Sequence, residues 1–257
     1  MIEHTVGDLK LLHFERLSRE PGVVHAVTTR PQNFAPHHGD NRDRAVYWRQ
    51  KVCEILNVPF DNLTAPEQVH GGEVVRIEDE DTGCGRDGRG SAIRFVDGLI
   101  CDKPGVPIIL LSADCPLICA YDPQLPAVGA VHASWRGTVA GLAGQMVRQM
   151  AGEFGSDPGR LLVCISPSAG PCCYEVDRQV YRVARTRLDD ADACFVAKGE
   201  RYMFNLWTAN RRQLINSGIA SANIEVAGMC SICNEQFWSY RRDGKDAGRF
   251  ALFISLI

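Results

Sequence analysis

Three short segments place metal-competent side chains beside apolar, strand-like runs: Gln68-Val69-His70-Gly71, Ser112-Ala113-Asp114-Cys115-Pro116 and Val131-His132-Ala133-Ser134-Trp135-Arg136-Gly137. His70, Cys115 and His132 make an N, S, N donor set suited to borderline-soft Zn²⁺, and three protein ligands leave a fourth position for water or substrate. That is the form of a catalytic site. Two neutral imidazoles and one thiolate leave the ion net positive, so it can lower the pKa of a coordinated water to about 7 or polarise a phosphate oxygen. The ligands stand 45 and 17 residues apart and form no compact metal signature. The competing reading of the same residues is therefore a core histidine and a buried thiol.

Other side chains gather around this set. Arg136 is a candidate phosphate clamp at the start of a helix, where a guanidinium fork and the helix dipole both favour an anion; its alternative is a structural arginine bonded to carbonyls. Asp114 is a candidate acid/base or a carboxylate that orients a ligand histidine. Either role requires a turn, because on a regular strand Asp114 and Cys115 point to opposite faces. Gly170-Pro171-Cys172-Cys173-Tyr174-Glu175 offers Cys173 as a catalytic thiol at a pocket wall, against packing for Cys172, with Glu175 as a further acid candidate. Phe237, Trp238 and Tyr240 with Arg241 and Arg242 could stack on a planar substrate ring or guard the pocket, with Arg241 binding substrate, or belong to the core. Cys230-Ser231-Ile232-Cys233 is a lone C-x-x-C and reads as structural packing; His37-His38 reads as a solvated loop pair.

Those groups must be held by an ordinary globular frame: 257 residues, 45% hydrophobic and 23% charged, exclude disorder, collagen and coiled coil. A net charge of -3 supplies no basic field for nucleic acid or an anionic membrane, so an anionic ligand must be met locally. No apolar run approaches the roughly 20 residues of a membrane span. Eleven cysteines, an odd number without an export signal, read as free thiols of a cytoplasmic protein.

Short aliphatic runs at 23–28, 74–77, 108–111, 117–121, 127–131, 161–165 and 224–226 read as strands, several apolar throughout and so covered on both faces. Apolar residues at 139, 142, 146, 147, 150 and 154 trace one helical stripe. Further helices are expected over 44–56, over 178–188 behind Asp177 as N-cap, and over 206–217 stopped by Gly218. The acidic, glycine-rich segment 78–91 is expected to be an exposed, mobile loop. The fold class is α/β, a single domain over 1–257 with mixed β-sheets flanked by helices.

Taken in order, QVHG at 68–71, SADCPL at 112–117, VGAVHASWRGTVAG at 128–141, GPCCYEV at 170–176 and SYRRDGKDAGR at 239–249 resemble the motif series of the YfiH-type laccase-domain family. Its members were first called multicopper polyphenol oxidases and are now regarded as zinc-dependent purine nucleoside phosphorylases with adenosine deaminase activity. The resemblance implies catalytic Zn²⁺ on His70, Cys115 and His132, with purine nucleosides and phosphate as small-molecule partners. The chain departs from the pattern at Thr29-Arg30-Pro31-Gln32, where a glycine-rich turn is usual, at Ser134, where glycine is usual, and in the insertion-like loop before Ser91. Competing readings are a copper-dependent polyphenol oxidase using Cu²⁺ at the same residues, which the chain's seven histidines support poorly, and a non-catalytic metal-binding module.

Overall fold

The computed structural model describes residues 1–36 and 42–257. The strands in chain order are β1 (Ile2–Val6), β2 (Leu9–His13), β3 (Val23–Thr28), β4 (Glu73–Arg76), β5 (Val96–Cys101), β6 (Ile108–Ser112), β7 (Leu117–Asp122), β8 (Ala127–His132), β9 (Leu162–Ile165), β10 (Glu175–Val176), β11 (Phe195–Lys198), β12 (Arg201–Phe204), β13 (Ile224–Val226) and β14 (Phe250–Leu256). The helices are α1 (Arg42–Leu56), α2 (Trp135–Val139), α3 (Leu142–Phe154), α4 (Arg178–Arg185), α5 (Leu206–Asn216) and α6 (Tyr240–Asp243).

The strands form an antiparallel sheet of order β1-β2-β3-β14-β6, a mixed sheet of order β13-β9-β7-β8-β5-β4 and a small antiparallel sheet β10-β12-β11. In the mixed sheet β13 runs parallel to β9 and β4 parallel to β5, while the remaining pairs are antiparallel. The two larger sheets bury one face against each other: Leu12, Leu110, Leu252 and Ile254 meet Leu99, Leu117, Cys119 and Val128. Their outer faces are covered by helices. Val52, Cys53 and Leu56 of α1 pack on Ala26, Ile109 and Phe253, and Met146, Val147 and Met150 of α3 pack on Ile100, Ile118 and Val163. This layering explains strands with no polar face: on β14, Phe250, Leu252 and Ile254 face the intersheet core while Ala251 and Phe253 face α1.

The expected strands all form, with ends shifted by at most a residue or two, while β1, β2, β5, β10, β11, β12 and β14 had not been read from the sequence. The helical stripe from 139 is broken. Gly141 adopts φ +79, a left-handed turn that glycine takes without a Cβ penalty, and separates α2 from α3. Val139 accordingly packs with Phe204 and Leu206 instead of on the sheet. Asp177 caps α4 as expected, its Oδ1 accepting from Val180 N at 2.9 Å, but the helix ends at Arg185, three residues short. The segment 78–91 is anchored, contrary to expectation. Ala65 N donates to Cys84 O at 2.8 Å, and the fully buried Arg49 donates to Phe34 O, Gly85 O and Arg86 O. His37 and His38 lie outside the described residues, and no helix is long and apolar enough to cross a membrane among the described residues.

Candidate metal centre and active site

The strand ends bring the three donors together. Cys115 sits in the turn between β6 and β7, His132 ends the adjacent β8, and His70 lies in the loop leading into β4. One ligand atom from each lies within 4.8 Å of the others, and the two imidazoles meet edge-on at 83° with centroids 4.9 Å apart. His132 is buried, Cys115 half-buried and His70 exposed, so the set closes from the protein side and opens toward solvent. Cys115 is aimed by its turn: Asp114 adopts φ +94, and Ser112 Oγ donates to Cys115 O at 2.6 Å.

A carboxylate absent from the sequence reading organises the other two donors. Asp97, fully buried on β5, stands 2.8 Å from His132 Nδ1 through its Oδ1. The same carboxylate accepts the backbone N–H groups of Val69, His70, Gly71 and Gly72 at 2.7–3.2 Å, wrapping the His70 loop around one anion. A side chain could not follow that path at Gly72, where a Cβ would lie 2.7 Å from Phe95 O. Gln68 pins the loop's other end, exchanging hydrogen bonds with Leu111 N and O at 2.9 and 2.8 Å. The available signal was chemical: Asp97 is the one charged residue of the strand VDGLIC.

The electrostatics couple the Cys115 thiol to a charged His132. Burial would raise the Cys115 thiol, but the adjoining His132 and His70 outweigh it and bring it down to about 7. Burial would discharge His132, yet the Cys115 charge and the Asp97 hydrogen bond raise it to about 9. Asp97 would also be raised by burial, and the His132 and loop N–H bonds instead hold it well below the usual carboxylate range. Two anions, Asp97 and the Cys115 thiolate, thus flank His132, and a metal ion can take the place of the proton His132 carries.

The centre lines a cavity of about 540 Å³ whose wall also includes Tyr174, Tyr240, Arg241 and Arg249. Arg241 rests its guanidinium 5.1 Å from the Tyr174 ring centroid and donates to Glu175 O at 2.7 Å. Asp114 also reaches the cavity from a turn, as its candidate roles require, but its carboxylate accepts from Ser231 Oγ and Arg241 N, both at 2.7 Å. The histidine-orienting carboxylate is Asp97, not Asp114.

Three sequence candidates, Arg136, Cys173 and Glu175, are not in the cavity wall. The Arg136 guanidinium lies 4.4 Å from the Trp135 ring centroid on an exposed face, and α2 is a five-residue helix capped by Ser134 Oγ, which accepts from Gly137 N at 3.1 Å. Ser134, unusual at its motif position, is therefore an N-cap. Cys173 turns away to join Cys172, Cys230 and Cys233. Glu175 likewise points elsewhere, pairing with Lys198 and Arg201. Arg249, just before β14, also lines the cavity, and an arginine beyond the last turn gives no sequence cue that β14 will deliver it to a cavity built by β6 and β8.

An α/β frame that closes a His-Cys-His centre in the wall of an arginine-lined cavity matches a known class of protein. The chain belongs to the multi-copper polyphenol oxidoreductase laccase family, whose model matches residues 16–257. It is similar to the purine nucleoside phosphorylase YlmD of Geobacillus stearothermophilus, with 36% identity over 226 residues covering 86% of this chain and 82% of that protein. Similarity extends to the adenosine deaminase RL5 of an unknown prokaryotic organism, 32% identical and covering 84% of each chain. The crystal structure of YlmD from Geobacillus stearothermophilus superposes with a TM-score of 0.91 at 32% identity, covering 99% of this chain and 98% of that one.

Proposed function

We propose that the protein is a purine nucleoside phosphorylase that uses Zn²⁺ on His70, Cys115 and His132 and cleaves nucleosides such as adenosine, inosine, guanosine and 5′-methylthioadenosine to free base and ribose 1-phosphate. The observation that carries this reading is one cavity lined by the donor set together with Arg241 and Arg249. The names of relatives such as YlmD support the substrate class. The donor set fits zinc: two imidazoles and one thiolate within 4.8 Å of one another, oriented by Asp97, with a side open to the cavity. When bound, the ion supplies Lewis acidity in the cavity.

In phosphorolysis a phosphate oxygen attacks C1′ of the ribose while the bond to the purine nitrogen breaks, so positive charge grows on the sugar and negative charge on the base. Arg249 and Arg241 hold the phosphate, their forked donors matching its oxygens. Tyr174, whose hydroxyl is kept protonated by burial, offers a donor and an aromatic face to the purine. Asp114 fixes the Arg241 backbone and thereby the phosphate-binding side of the cavity. Eleven unpaired cysteines, Cys115 among them, suit a reducing cytoplasm.

Adenosine deamination is the second reading, favoured by the name of the RL5 relative and by the same open donor set. Copper laccase chemistry is less well served. It needs several histidine-rich metal positions, whereas the described residues offer one His-Cys-His group and one all-cysteine group. The test is to incubate the purified protein with adenosine and phosphate, with inosine, guanosine and 5′-methylthioadenosine in parallel. Adenine and ribose 1-phosphate are expected, and inosine appears if deamination also runs. A Cys115→Ala variant should lose activity together with the metal; full activity without the metal overturns the zinc mechanism.

A further inference from the structure

A second group of donors lies away from the cavity. Cys172 and Cys173 in the turn before β10, and Cys230 and Cys233 in the turn after β13, place their four sulfurs within 4.8 Å of one another. The sequence offered Cys173 as a pocket thiol and packing for Cys172, Cys230 and Cys233, because neither C-C nor C-x-x-C is a metal signature alone. The fold joins the two halves, which lie 57 residues apart at their nearest members, Cys173 and Cys230.

We propose that Cys172, Cys173, Cys230 and Cys233 bind a second, structural Zn²⁺ that staples the Cys172-Cys173-Tyr174 turn to the Cys230–Cys233 turn. Four thiolates at about 2.3 Å around a tetrahedral ion stand about 3.8 Å apart, and Cys172 Sγ and Cys233 Sγ are 3.8 Å apart. Four protein ligands close the coordination sphere, the form of a structural rather than a catalytic site. The surrounding backbone is arranged to carry it. Ser231 N donates to Ser168 O at 2.9 Å and Ser168 N to Met229 O at 3.1 Å, clamping the two turns side by side. Gly170 N donates to Cys230 Sγ at 3.3 Å, a contact that stabilises thiolate, and it requires glycine because a Cβ there would lie 2.9 Å from the Cys230 Cβ.

Local order and access fit as well. The Arg242 guanidinium, itself paired with Asp243, ties down this turn through Ser231 O, Ile232 O and Asn234 O. Cys172 and Cys233 are exposed, which gives the ion an entry path, whereas Cys230 is buried. Loading exchanges four thiol protons for one Zn²⁺ without any redox step. The staple also reaches the cavity at two points: Tyr174 follows Cys173 directly and lines the wall, and Ser231 lies inside the second turn and donates to Asp114 Oδ1 at 2.7 Å.

The test is zinc stoichiometry on the intact chain, purified without chelator. Wild type should carry about two ions, and Cys115→Ala and the Cys172→Ser/Cys233→Ser pair about one each. X-ray absorption at the zinc edge of Cys115→Ala should then show a shell of sulfur alone, and a chelator should lower its Tm. The Cys115→Ala measurement stands even if the double-serine variant fails to fold. A folded Cys115→Ala protein that carries no zinc, with the four cysteines found as free thiols or as disulfides by mass spectrometry, overturns the proposal. Neither result depends on phosphorolysis, so failure of the activity assay and failure of the staple are read separately.

Discussion

His132 Nδ1 and Asp97 Oδ1 stand 2.8 Å apart inside the protein, and the carboxylate that makes this contact also gathers the N–H groups of the His70 loop. One buried anion therefore sets the orientation of one donor and the backbone path of another. The arrangement resolves an otherwise costly burial, because five hydrogen bonds converge on Asp97 and replace its water.

Asp97→Asn should retain the shape and lose the charge. Metal affinity is expected to fall about 10–100-fold, the usual effect of removing a carboxylate behind a ligand histidine. Competition with a fluorescent chelator reads this directly. Because Asp97 is held below its ordinary value of 3.8, its contribution to stability is fully present above about pH 4 and lost as pH falls. Wild type should consequently lose more stability on acidification than Asp97→Asn; parallel acid-unfolding curves would contradict this role.

The two arginine candidates are separable by kinetics. Arg249 lines the cavity, donating to Ala247 O and Gly248 O from a half-buried position, whereas Arg136 stacks outside on Trp135. Arg249→Ala is expected to raise KM for phosphate about tenfold or more, the loss typical of one charged hydrogen bond, while Arg136→Ala stays within about twofold. Arg249→Lys should recover part of the loss, since it keeps the charge without the fork. The reverse ranking would return the phosphate site to Arg136.

How much of this was legible follows from what each residue announces locally. His70, Cys115 and His132 stand in distinctive short motifs at strand ends, and the fold brings their ligand atoms together. Strands such as Val23–Thr28 and Ile224–Val226 were visible as aliphatic runs. Asp97 was not, because its role depends on β5 pairing with both β4 and β8, a relationship set by topology. Arg136 misled for a related reason: a short helix broken by the left-handed Gly141 removes the long helix start that made it attractive. The four-cysteine cluster is visible only once β9 and β13 pair and bring their following turns together.

A buried histidine outside the cavity lining, His25, gives a clean pH signature. Burial, reinforced by the charge of His13, lowers His25 from 6.5 to about 3, and its Nε2 accepts from Phe14 N at 2.7 Å. The folded state thus holds the neutral form, so its stability contribution is complete above pH 6.5 and declines as pH falls toward 3. At about 1.4 kcal/mol per pKa unit, several kcal/mol should disappear across that window. Urea unfolding of His25→Gln at a series of pH values should show a shallower decline than wild type. An equal slope would mean that His25 is not the group responsible.

Arg49 offers the sharpest test of how the cavity wall is held. It is fully buried on α1, and its guanidinium donates to Phe34 O at 3.0 Å and to Gly85 O and Arg86 O at 2.9 Å, joining the helix to the 78–91 segment. Arg49→Leu would fill the space but leave these three carbonyls without their donor. At about 1–3 kcal/mol per buried polar group, the variant should lose at least about 3 kcal/mol of stability. The damage should also be local: Gly85, Gly88 and Arg89 line the cavity, so amide exchange across 83–91 should rise and KM should increase more than kcat falls. If exchange in that segment is unchanged while the whole protein is destabilised, Arg49 supports the core alone and the wall is held by Ala65, Thr64 and their neighbours.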